Sequence, residues 1–316
     1  NIYKAIEAKD QNNRTSLMMG PWFHGGWVRS DGSRLGNVRF GGTPSAYYDE
    51  HIRQFFRYYL KGEGELHLPE VSVFETGSNQ WRSYTEWPPR SSQRKKIFLA
   101  PGARLSFTVP KEKNGSDKYS SDPNRPVPYI SEISNSRGRE YMTDDQRFAW
   151  QRPDVLSYEM AVDSSITISG PVTVDLYAST TGSDADFIVK VIDVFPDSTK
   201  DEVIDGKVVK LGGYQMLVRG DVMRGRYRNS YSLPEAMKPN KVEKIRFTLP
   251  DINHSFQKGH RLMIQVQSSW FPLVDRNPQT FVNIYKAKKS DFRKAVHTIY
   301  RSAQYPSAIE VGIIAE

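Results

Sequence analysis

The residue in this sequence best placed to move a proton is His24. It sits in Gly20-Pro21-Trp22-Phe23-His24-Gly25-Gly26-Trp27, directly after the short apolar run Ser16-Leu17-Met18-Met19. A buried strand that ends in a glycine-rich turn can present an imidazole at the mouth of a pocket, because glycine lets the backbone turn tightly. Trp22, Phe23 and Trp27 could wall such a pocket. Imidazole titrates near neutrality, which suits general acid–base work. A lone loop histidine can equally be structural, and the local residues leave both readings open.

Other chemistry-bearing residues are less organised. The chain has no cysteine, so disulfides, thiolate metal sites and a cysteine nucleophile are excluded. Asp184, Asp186 and Asp193 could suggest calcium, and alternation puts Asp184 and Asp186 on one strand face. The oxygen-rich cage that calcium needs is not otherwise visible, so no metal is expected. His254 and His260 straddle a turn, with no metal-binding spacing to His51, His67 or His297, and all five are read as structural. Trp270, Phe271 and Pro272 end a strand, where Trp270 and Phe271 could line a substrate cleft or pack in a core or interface.

The elements that must position these residues fall into two unequal parts. Residues 1–65 have α/β character. Ile2, Tyr3, Ala5, Ile6 and Ala8 share one helical face, and Ser16–Met19 reads as a buried strand. Tyr48, Ile52, Phe55, Phe56, Tyr59 and Leu60 mark an amphipathic helix that should stop near Gly62 and Gly64. From 66 to 316 the period changes to two. Val172, Val174, Leu176 and Ala178 face one way, with Thr173, Asp175 and Tyr177 on the other. Similar stretches recur at 70–75, 96–100, 104–109, 165–169, 186–195, 214–219, 241–249 and 261–268, each closed by turn residues. A mainly β fold follows, a jelly-roll β-sandwich. Residues 111–153 interrupt it as a long insertion, expected either to dock against another domain or to run over the surface.

Composition bounds the rest. The 316 residues are 38% hydrophobic and 12% aromatic, enough for real cores. No apolar run reaches the length of about 18 residues that a membrane helix needs. The net charge of +8 is scattered, and no nucleic-acid-binding pattern accompanies it, so neither a membrane nor a nucleic acid is an expected partner. The opening Asn1-Ile2-Tyr3-Lys4 reads as a cut through a longer protein, with any export signal upstream; a periplasmic or secreted setting is preferred to a cytoplasmic one. The oligomeric state is left open.

The histidine loop resembles the histidine motif of the X-Pro dipeptidyl-peptidase, cocaine esterase and α-amino-acid ester hydrolase family, which takes in glutaryl-7-aminocephalosporanic-acid acylases. Matches continue in family order through Tyr119-Ser120-Ser121-Asp122-Pro123, Pro126-Val127-Pro128-Tyr129, Ser183-Asp184-Ala185-Asp186-Phe187, Val191–Asp197, Gly259-His260-Arg261-Leu262, Ser268-Ser269-Trp270-Phe271-Pro272 and Arg276-Asn277-Pro278. The resemblance implies a C-terminal fragment of an α/β-hydrolase domain at 1–65, followed by a galactose-binding-like jelly roll at 66–316. It implies a serine hydrolase that needs no cofactor and acts on a small-molecule ester, amide or peptide, with His24 as general base. No G-x-S-x-G is present: Gly32-Ser33, Gly77-Ser78, Gly115-Ser116 and Gly182-Ser183 all lack the second glycine. The family's aspartate is expected before Asn1, and Glu7 and Asp10 do not stand in its place. The implied partner is therefore a missing N-terminal α/β-hydrolase domain, and the fragment alone should be inactive. The competing expectation is a non-catalytic β-sandwich binding a carbohydrate or protein.

Overall fold

A computed structural model describes residues 2–134, 136 and 138–314; Asn1, where the chain was read as cut, lies outside them. Alternation in the sequence becomes an eleven-stranded sheet folded on itself as a two-layer, jelly-roll-type sandwich. One layer centres on Ile166–Thr180, flanked by Glu243–Phe256, Ala308–Ile314 and Ala295–Tyr300; the other centres on Asp186–Val194, flanked by Gln215–Arg224 and Arg261–Gln267. Phe187, Val189 and Val191 of one layer meet Val172, Val174, Leu176 and Ile245 of the other, which form the main core. Each such side chain contributes about 1.5–3 kcal/mol on leaving water.

The two expected strands at 165–169 and 172–179 are a single strand. A register shift between Gly170 and Val172 interrupts its ladder, and Gly170 has φ 95°, a region that favours glycine. The expected strand at 104–109 covers only Arg104–Ser106. Pattern reading also missed Ser116–Ser121, a polar edge strand that pairs, among the described residues, only with Ala295–Tyr300.

That strand belongs to the insertion at 111–153, which is neither a structureless excursion nor confined to one partner. It covers the outer face of the Asp186–Val194 layer. Tyr129 packs with Ile188, Ile192 and Trp270, and Tyr141 lies 6.5 Å from the Trp270 ring. Gln146 Oε1 accepts from Lys190 Nζ at 2.8 Å. The insertion also reaches residues 1–65, since Thr143 Oγ1 donates to the Leu35 carbonyl at 2.8 Å. Covering this face buries Lys190 completely. Burial pushes its amine down to about 7, with Asp144 opposing.

Residues 1–65 lie against the sandwich through a second, small sheet. Leu17–Met19 pairs in parallel with Val71–Glu75, which pairs antiparallel with Gln80–Tyr84, so the sheet crosses the division expected near residue 65. Leu35, Val38 and Phe40 pack with Phe74, Leu211, Tyr214 and Met216 to seal the join. Just past the middle strand, Thr76 Oγ1 lies 2.8 Å from His254 Nδ1, and His254 Nε2 lies 3.2 Å from Asp193 Oδ2. His260 Nδ1 takes the other oxygen of Asp193 at 2.8 Å. Burial alone would raise the Asp193 carboxyl, but the hydrogen bonds and charge of the two imidazoles outweigh it and hold the group below its ordinary value.

The helices of this part are present, but their apolar faces are uncovered. The helix expected over the first residues spans Ile2–Glu7, and Ile2 is 81% exposed. Pro44–Phe56 forms the amphipathic helix, with Pro44 in its first turn, and continues as a π-turn through Lys61 that Gly62 caps. Phe56, Tyr59 and Leu60 stand exposed, Leu60 at 75%.

Two outcomes follow. Lys190 binds its proton more weakly folded (about 7) than unfolded (about 10.5), so it lowers stability as pH falls from 10.5 to 7 and adds no further change below. Comparing melting of Lys190→Met with wild type should show the gap moving toward the methionine variant by about 4–5 kcal/mol across that window. A gap independent of pH would contradict the buried-amine account. A Cβ on Gly77 would sit 2.0 Å from the Ser255 carbonyl oxygen, at φ 90°. Gly77→Ala should therefore cost about 3 kcal/mol in denaturant unfolding by prising the Thr76 turn from His254; a loss below about 1 kcal/mol would show that the join is loose.

Candidate functional site

The loop that follows Leu17–Met19 is built by its own backbone. The Trp22 amide donates to the Gly20 carbonyl at 2.9 Å, and the Gly26 amide donates to the Phe23 carbonyl at 2.8 Å. A one-turn helix, Gly26–Arg29, then closes the loop. Gly20 is required by space: a Cβ there would lie 2.4 Å from the Trp22 ring.

His24 is exposed on this loop, and its ring meets no hydrogen-bond partner among the described residues. The Trp27 ring stands edge-on to it at 6.1 Å. Behind them Trp22 is wedged between Trp27 at 6.3 Å, Tyr48 at 5.6 Å and Trp81 at 5.9 Å. Trp81 stacks on Tyr47 at 4.3 Å. Such pairs contribute about 0.5–1.5 kcal/mol each beyond their area, so the aromatic residues fix the loop from behind and leave the imidazole facing out. Of the residues singled out in the sequence, Trp22 and Trp27 are brought to His24.

Trp270 and Phe271 are not part of that cluster. Trp270 is 5% exposed, packed among Tyr129, Ile188 and Ile192, with Lys190 Nζ 5.3 Å from its ring centre. Phe271 is 39% exposed and stands on backbone bonds to Val127 and Tyr129, with Arg276 5.7 Å over its ring. Glu7 and Asp10 have no hydrogen bond to His24. Asp10 accepts from the amides of Asn12, Arg14 and Thr15 and organises its own turn.

The acidic residues of the 183–187 stretch are held by cations and amides. Arg226 Nε donates to Asp184 Oδ2 at 2.7 Å, Arg224 Nε to Asp186 Oδ1 at 3.1 Å, and Asn277 Nδ2 bridges both carboxylates. No cluster of metal-ligating side chains occurs among the described residues. His254 and His260 serve Asp193. His297 is buried against Gln279 Oε1 at 2.8 Å, and burial pushes it down to about 4.

Sequence reasoning missed one feature next to the loop. A cavity of about 200 Å³ lies between Gly20-Pro21-Trp22 and the sandwich, with Thr76, Trp87, Arg219 and Asp251 in its walls. Asp251 Oδ2 accepts from Trp87 Nε1 at 2.7 Å and pairs with Lys4 Nζ at 2.6 Å, tying the first helix to the sandwich. These residues come from four separate segments with no local motif, so nothing in the sequence pointed to them.

Comparison with known proteins fits this geometry. Residues 66–310 match the X-Pro dipeptidyl-peptidase C-terminal non-catalytic domain. Cocaine esterase from Rhodococcus sp. (strain MB1 Bresler) is 28% identical over 98% of this chain and 53% of its own length. Among solved structures, an aminopeptidase from the marine sediment archaeon Thaumarchaeota archaeon is 39% identical, with a TM-score of 0.92 over 99% of this chain and 52% of that one. An α-amino acid ester hydrolase is also 39% identical, with a TM-score of 0.91 over 98% of this chain and 52% of that one. The chain thus spans about half the length of these relatives. By its strand pattern, its sandwich and these likenesses, the chain belongs to the X-Pro dipeptidyl-peptidase and cocaine esterase family, whose C-terminal non-catalytic domain it carries.

Proposed function

We propose that this chain is the C-terminal half of a serine hydrolase, in which His24 is the general base and residues 66–316 form a jelly-roll cover over the cleft. Residues 1–65 are, in this reading, the last strand, histidine loop and helices of an α/β-hydrolase domain whose remainder is a separate N-terminal stretch. The observation that carries the proposal is the exposed imidazole, held from behind by aromatic rings, at the end of a parallel strand whose other edge pairs with no strand among the described residues. Parallel strands normally sit inside a sheet covered on both faces. The exposed apolar side chains Ile2, Ile6, Met19, Phe56, Tyr59 and Leu60 lie on the same 65 residues, where a covering domain would bury them.

In the completed site a serine hydroxyl attacks the substrate carbonyl while His24 accepts its proton. The imidazolium then returns that proton to the leaving alcohol or amine, an aspartate having oriented the ring throughout. Water repeats the sequence to free the acid. Substrates are small esters, amides or peptides, as the names of the relatives suggest, and no cofactor takes part. Trp22 and Trp27 line the approach to His24, while on the cover Phe271 is half-exposed and Trp270 packs behind it. A free-standing binding module would have no use for a strand, loop and helix of another fold, so the enzyme reading is preferred.

Mixed with an activated ester, the 316-residue chain should release no burst of acyl product. Joined to an N-terminal half that supplies the serine and aspartate, it should turn over, and His24→Ala should then lower kcat by about 1,000-fold or more with folding intact. A burst from the chain alone, or a His24→Ala hybrid as fast as its parent, would overturn the proposal.

A further inference from the structure

We infer that the 200 Å³ cavity beside the histidine loop is a binding site for a small organic monocarboxylate, held by Arg219. The inference stands apart from the role of His24, since no step of catalysis enters it.

The charge of Arg219 has no carboxylate within ion-pair distance among the described residues. Arg219 rises from the strand Gln215–Arg224 into the wall of the cavity. It makes no ion pair among the described residues; Nη2 donates to the Asp251 carbonyl at 3.1 Å, the Nε–H is buried without an acceptor and closed off from the cavity, and Nη1 is left without a hydrogen bond. The two nearby carboxylates are otherwise engaged. Asp251 is held by Lys4 and Trp87, and Asp221, in the depression on the far side of Arg219, accepts the amide of Val222 at 2.7 Å. Burial lowers the affinity of Arg219 for its proton, and the negative charges of Asp251 and Asp221 only partly offset this. A desolvated guanidinium with a free N–H is poor in isolation and strong once a carboxylate meets it.

The remaining walls fix the rest of the ligand. Met19, Phe40, Val73, Phe74, Trp87 and Ile252 are apolar, so they favour a hydrocarbon body and oppose a second charge. An apolar cavity of about 150 Å³ takes a benzene ring, so this one holds a single ring or short branched chain together with a carboxyl group. One unpaired cation matches one negative charge, which disfavours dicarboxylates and phosphate.

The test is calorimetric titration of the full 316-residue chain with benzoate, with benzamide as the uncharged isostere and inorganic phosphate as the generic anion. Benzoate should bind saturably and benzamide about tenfold or more weakly, the difference expected when a hydrogen bond to a charged group is lost. Phosphate should not displace benzoate. Arg219→Met, with its fold checked by circular dichroism and melting, should bind benzoate no better than benzamide. Equal affinity of the wild-type chain for benzoate and benzamide, no binding of either up to the millimolar range, or displacement by phosphate would each overturn the inference. If Arg219→Met does not fold, the wild-type comparison decides alone.

Discussion

One buried carboxylate anchors the join between the sandwich and the strand that leads into the His24 loop. Asp193 is 1% exposed at the end of a core strand, and its charge is tolerable there only because His254 and His260 each take one oxygen. Removing one partner from a buried charged pair typically costs about 3–5 kcal/mol, so the geometry of His254 is not free to drift. Its other ring nitrogen faces Thr76, whose backbone also exchanges hydrogen bonds with Asn253 and Ser255. Thr76 follows the strand Val71–Glu75, and that strand holds Leu17–Met19 in parallel register. The histidine loop grows directly from the latter. The short exposed loop that carries His24 is thereby referenced, through three contacts and two stretches of continuous chain, to the interior of a sandwich.

How much of this was legible depended on whether the information was local. Period-two runs such as Val172–Ala178 announced the sandwich because one residue in two meets the core. The breaker-rich loop around His24 stood out because glycine and proline punctuate strands for steric reasons that any context preserves. The strand Ser116–Ser121 did not stand out, because a polar strand at a sheet edge has no pattern to show. The fusion of two expected strands across Gly170 was hidden for the opposite reason, since a glycine–proline pair normally ends a strand and here accommodates a bulge. Trp270 was recognised as an aromatic residue at a strand end, but only the three-dimensional cover formed by the insertion decides that it faces Lys190.

Burial of charge is the recurrent blind spot. Alternation shows which face a residue takes but not what lies on it, so nothing in the sequence marks Lys190 as buried or Arg219 as a cavity wall. In the folded chain the first is sealed beneath the insertion, and the second lines a cavity and forms no ion pair among the described residues. The exposed apolar faces of residues 1–65 are the converse case. The sequence identified those faces correctly as apolar, and the structure leaves them open to solvent. Together an outward imidazole and uncovered apolar helices give residues 1–65 a surface with unmet requirements.

Amide hydrogen exchange in the Asp193→Asn variant tests most directly whether the sandwich holds the histidine loop through Asp193. Exchange should quicken not only beside position 193 but also at Leu17–Met19, through Gly26 of the loop, and at Val71–Thr76, stretches that make no direct hydrogen bond to Asp193. Quickening confined to the strands around residues 193, 254 and 260, with the loop unchanged, would contradict the account.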